Sequence, residues 1–206
     1  MASFDATVNR RPRLIIMVKA PVAGRVKTRL GREIGMERAA WWYRHQTARL
    51  LRRLGGDPRW QTVLAIAPDT ALEAALWPHG ILRTPQGRGD LGERMARLLT
   101  LPHAGPALLI GSDIPGVTPG HIQRAFGLLR GRDALFAPAH DGGYWAVGLR
   151  HPARAPGGFL KDVRWSSPHT LADSLATLGP LRPALGEVLR DVDGAADLTA
   201  IKEARV

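Results

Sequence analysis

A three-layer α/β sandwich, a mixed and mainly parallel sheet with helices on both faces, is the architecture this sequence predicts. Three observations lead there. Strand-sized apolar runs alternate with amphipathic helical segments along the chain, the pattern of repeated βα units. The runs "LIIMV" and "ALLIG" are continuously apolar, as strands buried on both faces are. The loops that follow these runs hold the glycines, prolines and charged residues, as at the ligand edge of an open sheet.

Taken in order, the first strand is "RLIIMVK", Arg13 to Lys19. A basic loop follows it, and "MERAAWWYRHQTARLLRRL", Met36 to Leu54, is helical. Trp41, His45, Ala48 and Leu51 or Arg52 fall on its neighbouring turns, and the paired Trp41 and Trp42 are expected in the core. "GGDPRW" ends that helix, since its glycines and proline cannot continue it. "QTVLAIAP" is the second strand, and "DTALEAALWP" opens on an Asp/Thr cap and is expected to be a short helix. "GILRTP" reads as a third strand, followed by glycine-rich "QGRGD" and the helix "LGERMARLLTL".

"PALLIGSD" is the most continuous buried strand of the chain. The next helix, "VTPGHIQRAFGLLR", has Thr118 as N-cap and Pro119 in its first turn. "DALFAPA" and "GYWAVGL" are two more strands, joined by "HDGG", a link too short for a crossover helix and therefore antiparallel. "SPHTLADSLATLG" is a helix, and "GEVLRDVDGAADLTAIKEA" reads as a short strand, a turn and a final helix. A length of 206 residues suits one domain, taken as residues 13–206 behind a flexible lead-in at 1–12.

Composition narrows the function classes. No apolar run reaches bilayer length, and the N-terminus lacks the apolar core of a signal peptide, so a cytoplasmic address is expected. With no cysteine there is no disulfide framework, thiolate nucleophile or Cys-ligated metal. The net charge of +11 attracts anions of many kinds, including nucleotides and phosphorylated substrates. The arginines are scattered and no zinc-finger or RNA-recognition signature occurs, so nucleic acid is not the expected partner. The sequence leaves the oligomeric state open, a homodimer included.

Four loops after strand-like runs, "KAPVAGRVKTR", "QGRGDLGER", "GSDIPG" and "HDGGYW", carry the chemistry, and the acidic segment "DVDGAADL" adds to it. "KAPVAGRVKTRL" is not a P-loop, because Val26 rather than glycine precedes Lys27. It still offers what polyphosphate binding needs: Gly24 for close backbone approach, Lys27 as a point charge and Arg29 as a fork. It is equally readable as an exposed basic turn. "GSDIPG" sets Asp113 just past a buried strand, where a carboxylate can hold Mg²⁺ or Mn²⁺ or can cap the turn. "DVDGAADL" adds Asp191 and Asp193 on one strand face, readable as a second ligand for that ion or as caps, with Asp197 another capping candidate. "HDGGYW" joins Asp141 to Gly142, Gly143, Tyr144 and Trp145, suited to a ligand against the backbone or to a plain hairpin. "QGRGDLGER" puts Gln86, Gly87 and Gly89 where a base edge could be read. His45, His121 and His169 lack metal-ligand spacing, and Ser166 and Ser167 have no evident base, which disfavours hydrolysis.

In this order the motifs "KAPVAGRVKTRL", "GDLGERM", "IGSDIPG", "PAHDGGYWAVGL", "WSS" and "DVDGAADL" resemble the glycosyltransferase-A-like DUF2064 family, some of whose members are labelled as transferases of radical-SAM or arsenosugar gene sets. The resemblance runs from about Leu14 to Leu198. The family is similar in turn to small nucleotidyltransferases, including the molybdenum-cofactor and 2-phospholactate guanylyltransferases, and the resemblance implies their Rossmann-like fold. It implies that Lys19, Gly24, Arg25, Lys27 and Arg29 take the nucleotide's phosphates, with Ala20, Gln86 and Gly89 also on the nucleotide. Asp113 and Asp193 would hold the metal, Mg²⁺ or Mn²⁺. Asp141 would face the acceptor, together with Gly142, Gly143, Tyr144 and Trp165. Family members often show Asp-Val-Asp-Thr-Pro before the last helix; Gly194 and Ala195 stand here instead, removing a helix-start signal. The implied activity is transfer from a nucleotide-sugar donor to a small-molecule acceptor. A nucleotidyltransferase taking an NTP and releasing pyrophosphate is the alternative, and a non-catalytic nucleotide-binding protein the third.

Overall fold

A computed structural model describes residues 10–192 and 194–198. Seven strands form one sheet: β1 (Arg13–Lys19), β2 (Gln61–Ala67), β3 (Leu82–Pro85), β4 (Ala107–Ile110), β5 (Ala134–Pro138), β6 (Tyr144–Leu149) and β7 (Pro183–Leu185). Their spatial order is β3-β2-β1-β4-β6-β5-β7. The strands β3, β2, β1 and β4 run parallel, β6 is antiparallel to both β4 and β5, and β5 pairs parallel with β7.

The helices are α1 (Thr28–Ile34), α2 (Met36–Leu54), α3 (Leu91–Leu99), α4 (Pro119–Leu128) and α5 (Thr170–Ala176). They cover both faces because the central strands are apolar on both faces through their middles, Leu14–Val18 in β1, Val63–Ala67 in β2 and all of β4. In β1 the period-two alternation sends Leu14, Ile16 and Val18 to one face, where Leu50 and Leu54 of α2 and Ile122 of α4 cover them. Ile15 points to the other face, against Met95, Leu98 and Leu99 of α3. The caps follow from sequence: Asp90 and Glu93 form a capping box on α3, and Thr118 and His121 form one on α4.

Four details depart from the sequence reading. The basic loop ends earlier than expected, with residues from Thr28 forming α1 before Gly35 breaks the chain. "DTALEAALWP" gives only a 3-10 turn at Asp69–Ala71, since the Asp69 carboxylate accepts from Gly87 N (3.1 Å) instead of capping a helix. The late strand lies at Pro183–Leu185, and Leu189 contributes only an isolated bridge to Ala139. Trp41 is 64% exposed rather than in the core. The buried stripe of α2 runs through Ala39, Tyr43, Gln46, Leu50 and Leu54, which leaves Trp41 and His45 stacked on the outer face.

The register fixes where a ligand can sit. Lys19 pairs with Ala67 and Ile16 with Ile110, so β1, β2 and β4 present their carboxyl ends on one edge. Ile110 also pairs with Ala146, which brings the start of antiparallel β6 to that edge. No helix among the described residues is long and apolar enough to cross a membrane.

Candidate functional site

The loops after β1, β3 and β4 and the start of β6 enclose a cavity of about 660 Å³ at that edge. This is the size of a small-molecule or cofactor site. Four cationic side chains, Lys19, Lys27, Arg29 and Arg94, and two carboxylates, Asp90 and Asp113, line it.

Lys27 is held toward the centre of the cavity by its neighbours. Val26 is buried against Ala40 and Tyr43, and Leu30 against Ala39 and Val192, so the chain is pinned on both sides. Between these anchors Lys27 adopts φ 45°, ψ 49°, a left-handed conformation that costs a non-glycine residue ~1–2 kcal/mol. Such strain persists only where packing dictates it, and it clusters at ligand sites. The Lys27 side chain is 9% exposed, and its ammonium lies 2.5 Å from Asp113 Oδ2.

Asp113 follows β4 and accepts at its carbonyl from Val192 N (3.3 Å), which draws the C-terminal acidic segment to the same loop. Beneath it, the Tyr43 hydroxyl accepts from Lys19 N (3.0 Å) and pairs with Ser112 Oγ (2.7 Å), tying the end of β1 to the end of β4. Burial pushes the Tyr43 phenol above its ordinary pKa, so it is neutral at physiological pH.

On the opposite wall Gln86 is buried, and its amide nitrogen donates to Val18 O (3.0 Å) and Ala65 O (2.9 Å). Both donors thus bind the ends of β1 and β2, which leaves only its Oε1 to meet a ligand. Gly87 and Gly89 take φ 73° and 106°, conformations open to glycine, and Arg97 clamps that loop through the carbonyls of Gln86 and Arg88, each at 2.7 Å.

The expected phosphate residues therefore divide. Lys19, Lys27, Arg29, Gln86 and Gly89 line the cavity with Asp113. Ala20, Gly24 and Arg25 do not. Ala20 N donates to Ala67 O (2.7 Å), while Gly24, at φ 75°, and Arg25 form the exposed turn before Val26. Of the acceptor-side residues only Tyr144 lines the cavity. Asp141 is exposed at the hairpin tip, with Oδ1 accepting from Gly143 N (2.9 Å). Gly142 lies against Pro168, and Trp165 packs over Gly92. Asp193 falls outside the described residues. At the replaced Thr-Pro position, Gly194 N donates to Asp197 Oδ2 and Ala195 N to Glu33 Oε2, both at 2.9 Å, so α1 helps satisfy the last helical start.

The sequence reading missed Tyr43, Ser112 and Ser166. Tyr43 was legible as a phenol inside an apolar helical stripe. Ser112 and Ser166 stand inside motifs already singled out, Ser166 with a left-handed φ of 56°.

Among the described residues no three His, Asp or Glu side chains cluster around one point. Asp113 nonetheless fits a divalent cation in kind. It is a hard oxygen donor opening on the cavity, and the Lys27 ammonium against it marks that spot as one that favours positive charge.

Comparison with known proteins agrees with this fold. In the solved structure of a candidate nucleotide-diphospho-sugar transferase from Desulfovibrio desulfuricans G20, 28% identity and a TM-score of 0.83 extend over 96% of this chain and 88% of that one. Rv0371c from Mycobacterium tuberculosis H37Rv, solved with manganese, is 20% identical with a TM-score of 0.52, over 94% and 99% of the two chains. Molybdopterin-guanine dinucleotide biosynthesis protein A from Archaeoglobus fulgidus is 16% identical with a TM-score of 0.53, over 94% and 98%. No curated protein matches the sequence. The fold is thus that of nucleotide-diphospho-sugar transferases and their nucleotidyltransferase relatives, a transferase-like enzyme fold. The family profile described as "uncharacterized protein conserved in bacteria" covers residues 50–167, more than half of the sequence, and the chain belongs to that family, DUF2064.

Proposed function

We propose that the protein is a metal-dependent transferase that binds a nucleotide-activated donor in the cavity at the carboxyl ends of β1 and β4. The observation that carries this reading is the strained, pinned Lys27 facing Asp113 within a cavity richer in cations than in carboxylates. Lys27 and Arg29 meet the donor's diphosphate, and Asp113 holds Mg²⁺ or Mn²⁺, with Asp193 as its proposed second carboxylate. When bound, the ion neutralises charge on the phosphates as the leaving group departs. Lys27 and Arg29 stabilise the same charge from fixed positions, so they cost little reorganisation during the reaction. Lys19 lends a further charge at the mouth.

Asp141, outside the cavity lining, is the proposed acceptor-positioning residue or general base, using Oδ2, since Oδ1 holds the Gly143 amide. Tyr144 is neutral at physiological pH, because burial pushes its phenol well above the ordinary value, and its ring forms part of the acceptor wall. The chain from residue 13 acts as one transferase domain in this proposal. A soluble protein of the cytoplasm is the matching setting.

The preferred donor is a nucleotide sugar and the acceptor a small molecule. The similarity to the Desulfovibrio protein, whose description names a nucleotide-diphospho-sugar substrate class, supports this choice. Nucleotidyl transfer is the second reading, supported by the fold shared with the molybdopterin-guanine dinucleotide protein. Here Lys27 and Arg29 would face the β and γ phosphates of an NTP.

A thermal-shift panel of NTPs and nucleotide diphosphate sugars, each with Mg²⁺ or Mn²⁺, tests both. Selective stabilisation by a nucleotide sugar supports glycosyl transfer. Stabilisation by NTPs alone overturns it in favour of nucleotidyl transfer, and no metal-dependent stabilisation overturns the transferase reading altogether.

A further inference from the structure

A second cavity, of about 390 Å³, lies on the other side of the β1 loop, between α2 and the segment that precedes β3. Its walls are apolar, built by Leu51, Leu76 and Trp77 among others, while its mouth is basic, with Lys19, Arg44 and Arg52. No carboxylate lines it, and no ion pair joins Lys19, Arg44 or Arg52 to a carboxylate among the described residues. Charges gathered at an apolar slot without counter-ions raise the local concentration of anions.

We infer that this slot binds a small organic anion with a flat apolar body, its rings or chain against Trp77 and Leu51, and its carboxylate or phosphate at Arg44 and Arg52. The site shares Lys19 and Tyr43 with the larger cavity, so its occupant lies beside the proposed donor site. The inference itself does not depend on what the larger cavity binds.

The test titrates the whole protein with 1-naphthyl phosphate, 1-naphthoate and uncharged 1-naphthol, followed by calorimetry. At least one of the anions is expected to bind saturably and the naphthol at least about tenfold more weakly. The tighter anion identifies the head group. Arg44 and Arg52 are exposed, so Arg44→Ser and Arg52→Ser should leave the fold intact; each is expected to weaken the anion about tenfold. Lys27→Ala should leave it unchanged. Absence of saturable binding, equal affinity for naphthol, indifference to both arginine variants, or loss in Lys27→Ala would each overturn the inference, the last by moving the probe into the larger cavity.

Discussion

Lys27→Ala is the perturbation from which the proposed site has most to lose. Its side chain is nearly buried and its ammonium faces Asp113 at 2.5 Å, so a phosphate brought there gains a strong charge-assisted contact. A hydrogen bond to a charged group contributes ~1.5–3 kcal/mol, and its loss weakens binding by roughly 10- to 150-fold. The backbone is a confounder, since residue 27 has a φ of 45°. Alanine carries the same left-handed penalty as lysine, so Lys27→Ala removes the charge while keeping the strain. Lys27→Gly releases the strain as well. It should fold up to ~1 kcal/mol more stably than Lys27→Ala yet bind the nucleotide just as weakly. The assay is calorimetric titration with whichever nucleotide most stabilises the wild type, in the presence of Mg²⁺, with the exposed Lys161→Ala as control. If Lys161→Ala and Lys27→Ala had equal effects, the loop would be an exposed basic turn and the reasoning would be refuted.

Three further outcomes follow from the packing. Gln86→Met keeps the volume but removes both donors to Val18 O and Ala65 O, so it should cost ~1–3 kcal/mol in urea unfolding and loosen nucleotide binding as the ends of β1 and β2 part. Gly92→Ala would set a Cβ 2.1 Å from Leu160 O and 2.8 Å from Trp165, an overpacking worth ~1–3 kcal/mol. The melting temperature should then drop by roughly 2–12 °C. The Asp173 carboxyl is held down to about 2 by the bonded Arg164, from an ordinary value of 3.8. A depressed carboxyl stabilises the fold above its unfolded pKa, and that stability is lost as the pH falls through the folded value. Unfolding monitored between pH 5 and pH 2 should accordingly show less acid sensitivity in Asp173→Asn than in the wild type, and identical profiles would contradict the pairing.

Much of this fold was legible because its signals are local. Continuous apolar runs gave β1 and β4, a two-glycine link made β6 antiparallel, and Thr118 with Pro119 marked the start of α4. The failures came where a distant partner claimed a local signal. Asp69 reads as a helix cap in sequence but binds Gly87 across the sheet edge, and Trp41 reads as core only until the buried stripe of α2 is known. The site divides in the same way. Lys27 and Asp113 could be proposed from their strand-end positions, but their mutual contact depends on the β1–β4 pairing, and the Tyr43–Ser112 bond spans 69 residues. Motif proximity was a weaker guide: Gly24 and Arg25 stand beside Lys27 in sequence, yet they belong to the turn outside the cavity.

In the proposed site one cavity holds both the ion and the nucleotide's phosphates, between Lys27 and Asp113. A crystal structure soaked with Mn²⁺ and the best-binding nucleotide, with the manganese located by its anomalous signal, tests it most directly. Manganese on an Asp113 carboxylate oxygen, with the phosphates within hydrogen-bond reach of Lys27 and Arg29, is the expected result. Manganese or phosphates bound elsewhere, with the Lys27–Asp113 ion pair intact, would contradict it.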